Sequence, residues 1–516
     1  MDLKNELDSI LRASVPLLHV VSYEEERVLR ALLDVRAAHS LGVTSWDVAD
    51  GFVSHRQGAE AFPPKDCTSD TLLPYVAQKL PRGHILILKD FHHAWTRSRG
   101  VVTRKLRNLV PQLRAQSQFI IILTPPLDPP LALPSELKDD VVVLDVPLPG
   151  AAELEQLFSE MTAKLDPNVL PRPALRDKLI QSALGLSTNQ ARLALSRAFA
   201  RFEKFDERAI DVITAGKRAV IRESGALEFW PAGHSEADVG GLDLLKTWLK
   251  KRGAAFFSDA RAAGLPFPRG VALIGIPGTG KSLSAKMLSG LWKLPLLRLD
   301  VGTLFGSLLG ESEQNMRKAI GLAETVSPCI LWIDEMEKAF AGSEAGALNS
   351  GAATRVFGTF LTWMQEHQSP VFVLATANDI GRLPAELMGR FDRTFFLDLP
   401  ADTERRAIFL IHLKNAGVAF PERELDLRGL IDASRGYVGR EIERAVREAQ
   451  FTAFADGNRT LEQADLLQAL QETVPLSQSH SEIIEALRKW KTEGRAFPAS
   501  GEEERRSNVG RVLETM

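Results

Sequence analysis

The run Gly275-Ile276-Pro277-Gly278-Thr279-Gly280-Lys281-Ser282 has the residue types and spacing of a loop that wraps phosphate. Its glycines let backbone N–H groups turn inward around anionic oxygens, and the positive end of the following helix favours negative charge there. Lys281 can reach the β- and γ-phosphates of a nucleotide, and the Ser282 hydroxyl can ligate Mg²⁺. A second candidate lies downstream, where the apolar run Ile330-Leu331-Trp332-Ile333 ends in Asp334-Glu335. Asp334 can hold the Mg²⁺ shell, and Glu335 can polarise an attacking water as general base. Such a pair alone is weak, because many strands end in acids. Following a phosphate loop, on the expected third strand, it becomes specific. Asn378, after the run FVLATA, can orient that water or cap a turn. Arg390 and Arg393 sit in Gly389-Arg390-Phe391-Asp392-Arg393, where they can project toward a neighbour's nucleotide or form a solvated basic loop.

These residues need a frame. In the second half the apolar runs are 271–276, 296–301, 330–334, 372–377 and 394–399, with helix-period segments between them. Continuous apolar strands alternating with helices predict a parallel sheet covered on both faces. The first half repeats the plan at 17–22, 43–48, 85–90, 119–124 and 141–146. The strand starts are 26, 42, 34 and 22 residues apart in the first half and 25, 34, 42 and 22 apart in the second. A helical region follows each sheet, and 179–200 can be laid on 430–454 with few shifts. The expected fold class is therefore α/β: two tandem parallel sheets of the phosphate-loop type, each with a small helical lid, the first degenerate. An unrelated first α/β domain is the alternative. The expected divisions are 1–150 for the first sheet, 151–205 for its lid-like region and 206–240 for a linker. The active sheet, its lid and a C-terminal helix with a tail follow at 241–400, 401–475 and 476–516.

Aligning the copies predicts that the first lacks nucleotide chemistry. Its phosphate-loop slot reads Ser22-Tyr23-Glu24-Glu25-Glu26-Arg27, without glycine or lysine. Lys89 falls opposite Asp334, Asp90 opposite Glu335 and Pro125 opposite Asn378, and a lysine cannot ligate Mg²⁺. This module is expected to serve recognition or assembly through an unidentified protein partner.

The ordered motifs resemble the AAA family of ATPases over about Asp238–Pro475. The likeness begins at Asp238-Val239-Gly240-Gly241-Leu242, similar to that family's adenine-side entry motif, and includes Gly310-Glu311-Ser312-Glu313 and Ala375-Thr376-Ala377-Asn378-Asp379. Within the family, the likeness is strongest to the stand-alone ATPases of cyanobacteria and algal plastid genomes linked to inorganic-carbon use. Residues 357–379 and 485–500 carry that likeness. The resemblance implies a homo-oligomeric ring, a hexamer, with ATP between subunits and Arg390 and Arg393 acting in trans. It implies an ATP-binding set of Gly240, Gly275, Ile276, Pro277, Gly278, Thr279, Gly280, Lys281, Ser282, Leu283, Gly439 and Arg440, with Mg²⁺ as cofactor. Two departures matter. Leu308 stands where threading members carry an aromatic residue, which weakens the case for polypeptide threading. Gly439-Arg440 replaces a common Gly-Ala, so Arg440 is either a sensor reaching the nucleotide from the lid or a surface charge.

Bulk properties bound the rest. A formal net charge of -3 argues against a nucleic-acid field over the whole protein, and nucleic acid is not an expected partner. The basic stretch Arg97, Arg99, Arg104, Lys105 and Arg107 reads first as a solvated helix face. His92-His93 lacks companions at metal-ligand spacing. Two cysteines, Cys67 and Cys329, make no disulfide framework, which with the lack of a membrane span or signal segment fits a cytoplasmic protein. No HExxH motif occurs, so a fused zinc protease of that type is not expected. The expected function is ATP hydrolysis driving remodelling or regulation of a macromolecular partner; the alternative is an ATP-gated scaffold with slow hydrolysis and no threading.

Overall fold

The computed structural model describes residues 3–39, 41–55, 67–126, 134–222, 227–230, 234–256, 263–300, 311–340, 350–418 and 425–501. Leu308 and 341–349 therefore lie outside the described residues. The chain forms two compact units, 1–149 with 187–189, and 150–186 with 190–516.

The first unit holds strands β1 (Leu17–Val21), β2 (Gly42–Asp47), β3 (Gly51–Ser54), β4 (His84–Lys89), β5 (Phe119–Thr124) and β6 (Val141–Asp145). Their order is β3-β2-β4-β5-β1-β6, parallel except for the β2–β3 hairpin. The second unit holds β7 (Leu227–Trp230), β8 (Gly270–Gly275), β9 (Leu296–Leu299), β10 (Cys329–Ile333), β11 (Val371–Ala377), β12 (Arg393–Leu397) and β13 (Phe497–Pro498). The order is β13-β12-β8-β11-β10-β9-β7, with only β7 antiparallel. Removing β3, β7 and β13 leaves β2-β4-β5-β1-β6 against β9-β10-β11-β8-β12, which is one strand order used twice. Both sheets are thus α/β and dominated by parallel pairing.

The sequence explains this burial. Strands such as ILILK (85–89) and CILWI (329–333) carry no polar alternation, because helices cover both faces of a parallel sheet. One face of the second sheet packs Leu331, Val373 and Phe360; the other packs Leu273, Leu374, Trp292 and Phe372. Cys329 lies inside this layer, and burial pushes its thiol up to about 12, the inert state of a core cysteine.

After β6 in the chain, the helices Ala151–Thr162, Pro173–Ala183, Thr188–Phe202 and Arg208–Arg222 share a core of Phe158, Leu195, Phe205 and Ile213. Within 206–240, expected as a linker, the chain forms the last of these helices and then β7. That helix is amphipathic enough to bury Ala209, Ile210 and Ile213, and its Lys217 ammonium, itself buried, donates to the Val326 carbonyl at 3.1 Å. After β12, helices Asp402–Asn415, Leu427–Ala433, Gly439–Ala455 and Gln463–Gln471 form a small bundle around Phe409, Ile442 and Leu466. No helix among the described residues is long and apolar enough to cross a membrane.

Candidate nucleotide site

The site lies at the carboxyl ends of β8, β10 and β11, where an open parallel sheet leaves a crevice. The loop Ile276–Gly280 leaves β8 and opens the helix Lys281–Trp292. Gly278 stands at φ 84°, and a Cβ there would meet Val438 Cγ2 at 2.8 Å, so only glycine serves both the turn and the lid contact. The first amides of helix Lys281–Trp292 have no intrahelical acceptors and are the natural donors to an anion. Lys281 is buried, and its ammonium donates to the Gly275 and Ile276 carbonyls, each at 2.8 Å. Burial lowers its pKa to about 8, opposed by the carboxylates of Glu337, Asp334 and Glu335.

The Ser282 hydroxyl donates to Asp334 Oδ1 at 3.1 Å. The same oxygen accepts from Thr376 Oγ1 at 2.6 Å, and Thr376 Oγ1 in turn accepts from the Glu335 backbone N–H at 3.0 Å. A hydroxyl beside a carboxylate is a hard oxygen donor set, which fits Mg²⁺. Glu335 sits at φ 49°, a left-handed turn that projects its side chain from the strand end. Its carboxylate pairs with Lys338 and lies 3.4 Å from Asn378 Nδ2. Glu337 accepts from the Asn378 backbone N–H at 3.0 Å, and burial raises its pKa.

A cleft of about 520 Å³ opens beside a nucleotide-sized cleft of about 570 Å³, and together they join these groups to the bundle. The larger is lined by Gly240, Pro277, Gly278, Thr279, Gly280, Lys281, Ser282, Leu283, Asp334, Glu335, Asn378, Gly439 and Arg440. Arg440 donates its backbone N–H to the Gly278 carbonyl at 3.2 Å, so the bundle touches the loop directly. Gly240 lets helix Asp402–Asn415 approach: a Cβ there would lie 2.8 Å from Ile408 Cγ1. Gly275 and Ile276 form the strand end under Lys281. Arg390 and Arg393 do not line this cleft; the Arg393 guanidinium lies 4.0 Å over the ring of Phe497 in β13.

Sequence reasoning did not single out Thr376, Glu337 or His412, which also shape the site. Thr376 lies within β11, where a threonine in an apolar run carries no signal of its own. His412 and Glu337 had none, since each comes from a helix packed against the cleft.

Residues 271–399 match the ATPase family associated with various cellular activities (AAA). Residues 3–146 and 152–224 match the SpoVK-like AAA ATPase N-terminal and second domains. Nearly the whole chain is similar to the "Uncharacterized AAA domain-containing protein ycf46" of Pyropia yezoensis, 37% identical over 509 residues, covering 97% of this chain and 100% of that one. The protein of the same description from Guillardia theta is 39% identical over 511 residues, 97% of each chain. The chain belongs to the AAA ATPase family. Part of the chain is also similar to more distant members, such as "ATP-dependent zinc metalloprotease FtsH 1" of Methylacidiphilum infernorum, 28% identical over 300 residues, 56% of this chain and 45% of that one. Membership supports ATP binding and ATPase activity, and the stand-alone plastid type expected from 357–379 and 485–500 agrees with these full-length relatives.

Proposed function

We propose that this AAA ATPase hydrolyses ATP at the cleft between β8, β10, β11 and the lid, and uses the cycle to remodel or regulate a macromolecular partner as a homo-oligomeric ring. The observation that carries the reading is the meeting of Lys281, the Ser282–Asp334 pair, Glu335–Asn378 and lid residue Arg440 around one cleft. Lys281 neutralises and orients the phosphate chain. Ser282 and Asp334 would hold Mg²⁺, which when bound offsets charge on the phosphate oxygens. Glu335 takes the proton of the attacking water, and Asn378 fixes that carboxylate. Arg440 senses the nucleotide from the lid, so hydrolysis alters how the bundle sits on the Gly278 carbonyl. Arg390 and Arg393, outside their own chain's cleft, serve a neighbouring subunit's site. The first module, lacking a phosphate loop, binds the partner.

An ATP-gated scaffold with slow turnover is the second reading, favoured by the Lys338–Glu335 ion pair, which engages the carboxylate of the general base. Sizing the protein with and without ATP, alongside turnover with and without protein partners, separates the two. Continuous turnover stimulated by a partner supports remodelling; assembly on ATP with negligible turnover supports the scaffold; neither response would overturn both.

A further inference from the structure

Strand β7 extends the second sheet beyond the strands shared by the two halves, and it carries a charge toward the nucleotide site. Across the antiparallel pair, Glu228 stands directly opposite Arg298 of β9. Arg298 Nη1 lies 3.6 Å from Glu228 Oε2, and its Nη2 lies 3.9 Å from Asp334 Oδ2. Across the other edge of β9, Arg298 is in register with Trp332 of β10, and its guanidinium carbon sits 5.5 Å over that ring. Strand alternation places Glu228, Arg298 and Trp332 on one face, with Asp334 two residues beyond Trp332. Trp230, on the same face of β7, meets Trp332 edge-on with centroids 5.8 Å apart and holds Lys286 Nζ 4.5 Å from its ring centre. Lys286 lines the cleft.

One guanidinium is therefore shared between a carboxylate of the candidate cation site and a carboxylate of an edge strand. We propose that Arg298 is a positioning residue that tempers the charge of Asp334 toward the divalent cation, and that Glu228 sets the strength of that effect. The inference rests on the reading of Asp334 as the cation's carboxylate. A fixed positive charge this close opposes a divalent ion, while Glu228 draws the guanidinium outward, away from Asp334. Arg298 keeps 34% of its side chain exposed and Glu228 57%, so water screens the effect to a several-fold change. Because β7 follows helix Arg208–Arg222 in the chain, a load on that helix that shifts β7 would change the cation affinity.

The sign pattern separates this from a structural role. Mn²⁺ serves as the probe, titrated into the full-length protein with ADP and read by the free-ion electron paramagnetic resonance signal. Arg298→Met is expected to tighten Mn²⁺ roughly three- to tenfold, and Glu228→Gln to weaken it roughly two- to threefold. The double variant should match Arg298→Met, because Glu228 acts only through Arg298, and Arg298→Lys should stay near the parent. Equal affinities in the parent and both single variants, or shifts of the same sign, overturn the proposal while leaving the site assignment intact. Unchanged Mn²⁺ binding in Asp334→Asn overturns the assignment itself, and the proposal with it.

Discussion

In the second half five residues, Ile276–Gly280, separate β8 from its helix; in the first half only three, Ser22–Glu24, separate β1 from Glu25–His39. The strand order is the same, and even the turn after the third common strand repeats, with Asp90 at φ 51° and Glu335 at φ 49°. What changed is the chemistry at the strand ends. The Gly278 carbonyl accepts the backbone N–H of lid residue Arg440 at 3.2 Å. In the first half the carboxylate of buried Glu24 accepts the backbone N–H of Thr188, which starts a helix, at 2.5 Å, and pairs with Arg27 at 2.8 Å. In each half the segment after the first strand thus accepts from the start of a later helix, with a carboxylate in one case and a backbone carbonyl in the other. Lys89, at the Asp334 position, pairs with Glu25 at 3.1 Å. A sheet tolerates such replacement because its stability lies in the apolar strands, whereas phosphate binding needs backbone donors that a shortened loop cannot present.

The largest contrast should come from the strand-end residues themselves. Lys281→Ala is expected to abolish ATP binding, and Glu335→Gln to keep binding while slowing turnover by about 10²- to 10⁴-fold. Lys89→Ala and Asp90→Asn should leave turnover unchanged. Residual micromolar ATP binding in Lys281→Ala, measured calorimetrically, would break the contrast by revealing a second competent site. Next, Gly278→Ala should weaken ATP about tenfold or more, because its left-handed turn costs a Cβ about 1–2 kcal/mol before the clash with Val438.

A pH effect of intermediate size follows from Lys281, whose pKa is lowered to about 8 by burial. Bound triphosphate favours the charged ammonium and raises that pKa. Between the free and bound values, binding takes up a proton, so ATP affinity should fall as pH rises above about 8, approaching about tenfold per pH unit. Titrations in buffers of different ionisation enthalpy count the protons; no uptake at pH 8.5 would contradict the assignment. The smallest effect belongs to the first half. Glu24→Gln should lower its stability by about 1–3 kcal/mol, seen as an earlier thermal transition, with the ATP dissociation constant unmoved. A shifted dissociation constant would show that the two halves do not act independently.

Much of this frame is legible in the residues. All ten apolar runs at 17–146 and 271–399 form strands; most are apolar throughout because both faces are buried, while β6, at a sheet edge, leaves Val142 and Val143 exposed. Strands β3, β7 and β13 were not legible. Each is at an edge and four residues or fewer, and β13 includes Pro498, so none carries a local period. Thr376 was hidden for another reason: a threonine inside FVLATA looks like any β-branched strand residue until its hydroxyl is found on Asp334.

The sequence by itself determined where phosphate could be gripped, where the acids stand and that the α/β plan occurs twice, since loop spacing and hydrophobic runs are properties of adjacent residues. Only the tertiary structure decided that Thr376 orients Asp334 from 42 residues away, that Arg440 reaches the Gly278 carbonyl and that Glu228 shares Arg298 with the site. These contacts depend on which strands lie side by side, and sheet order is set by packing among segments far apart in the chain.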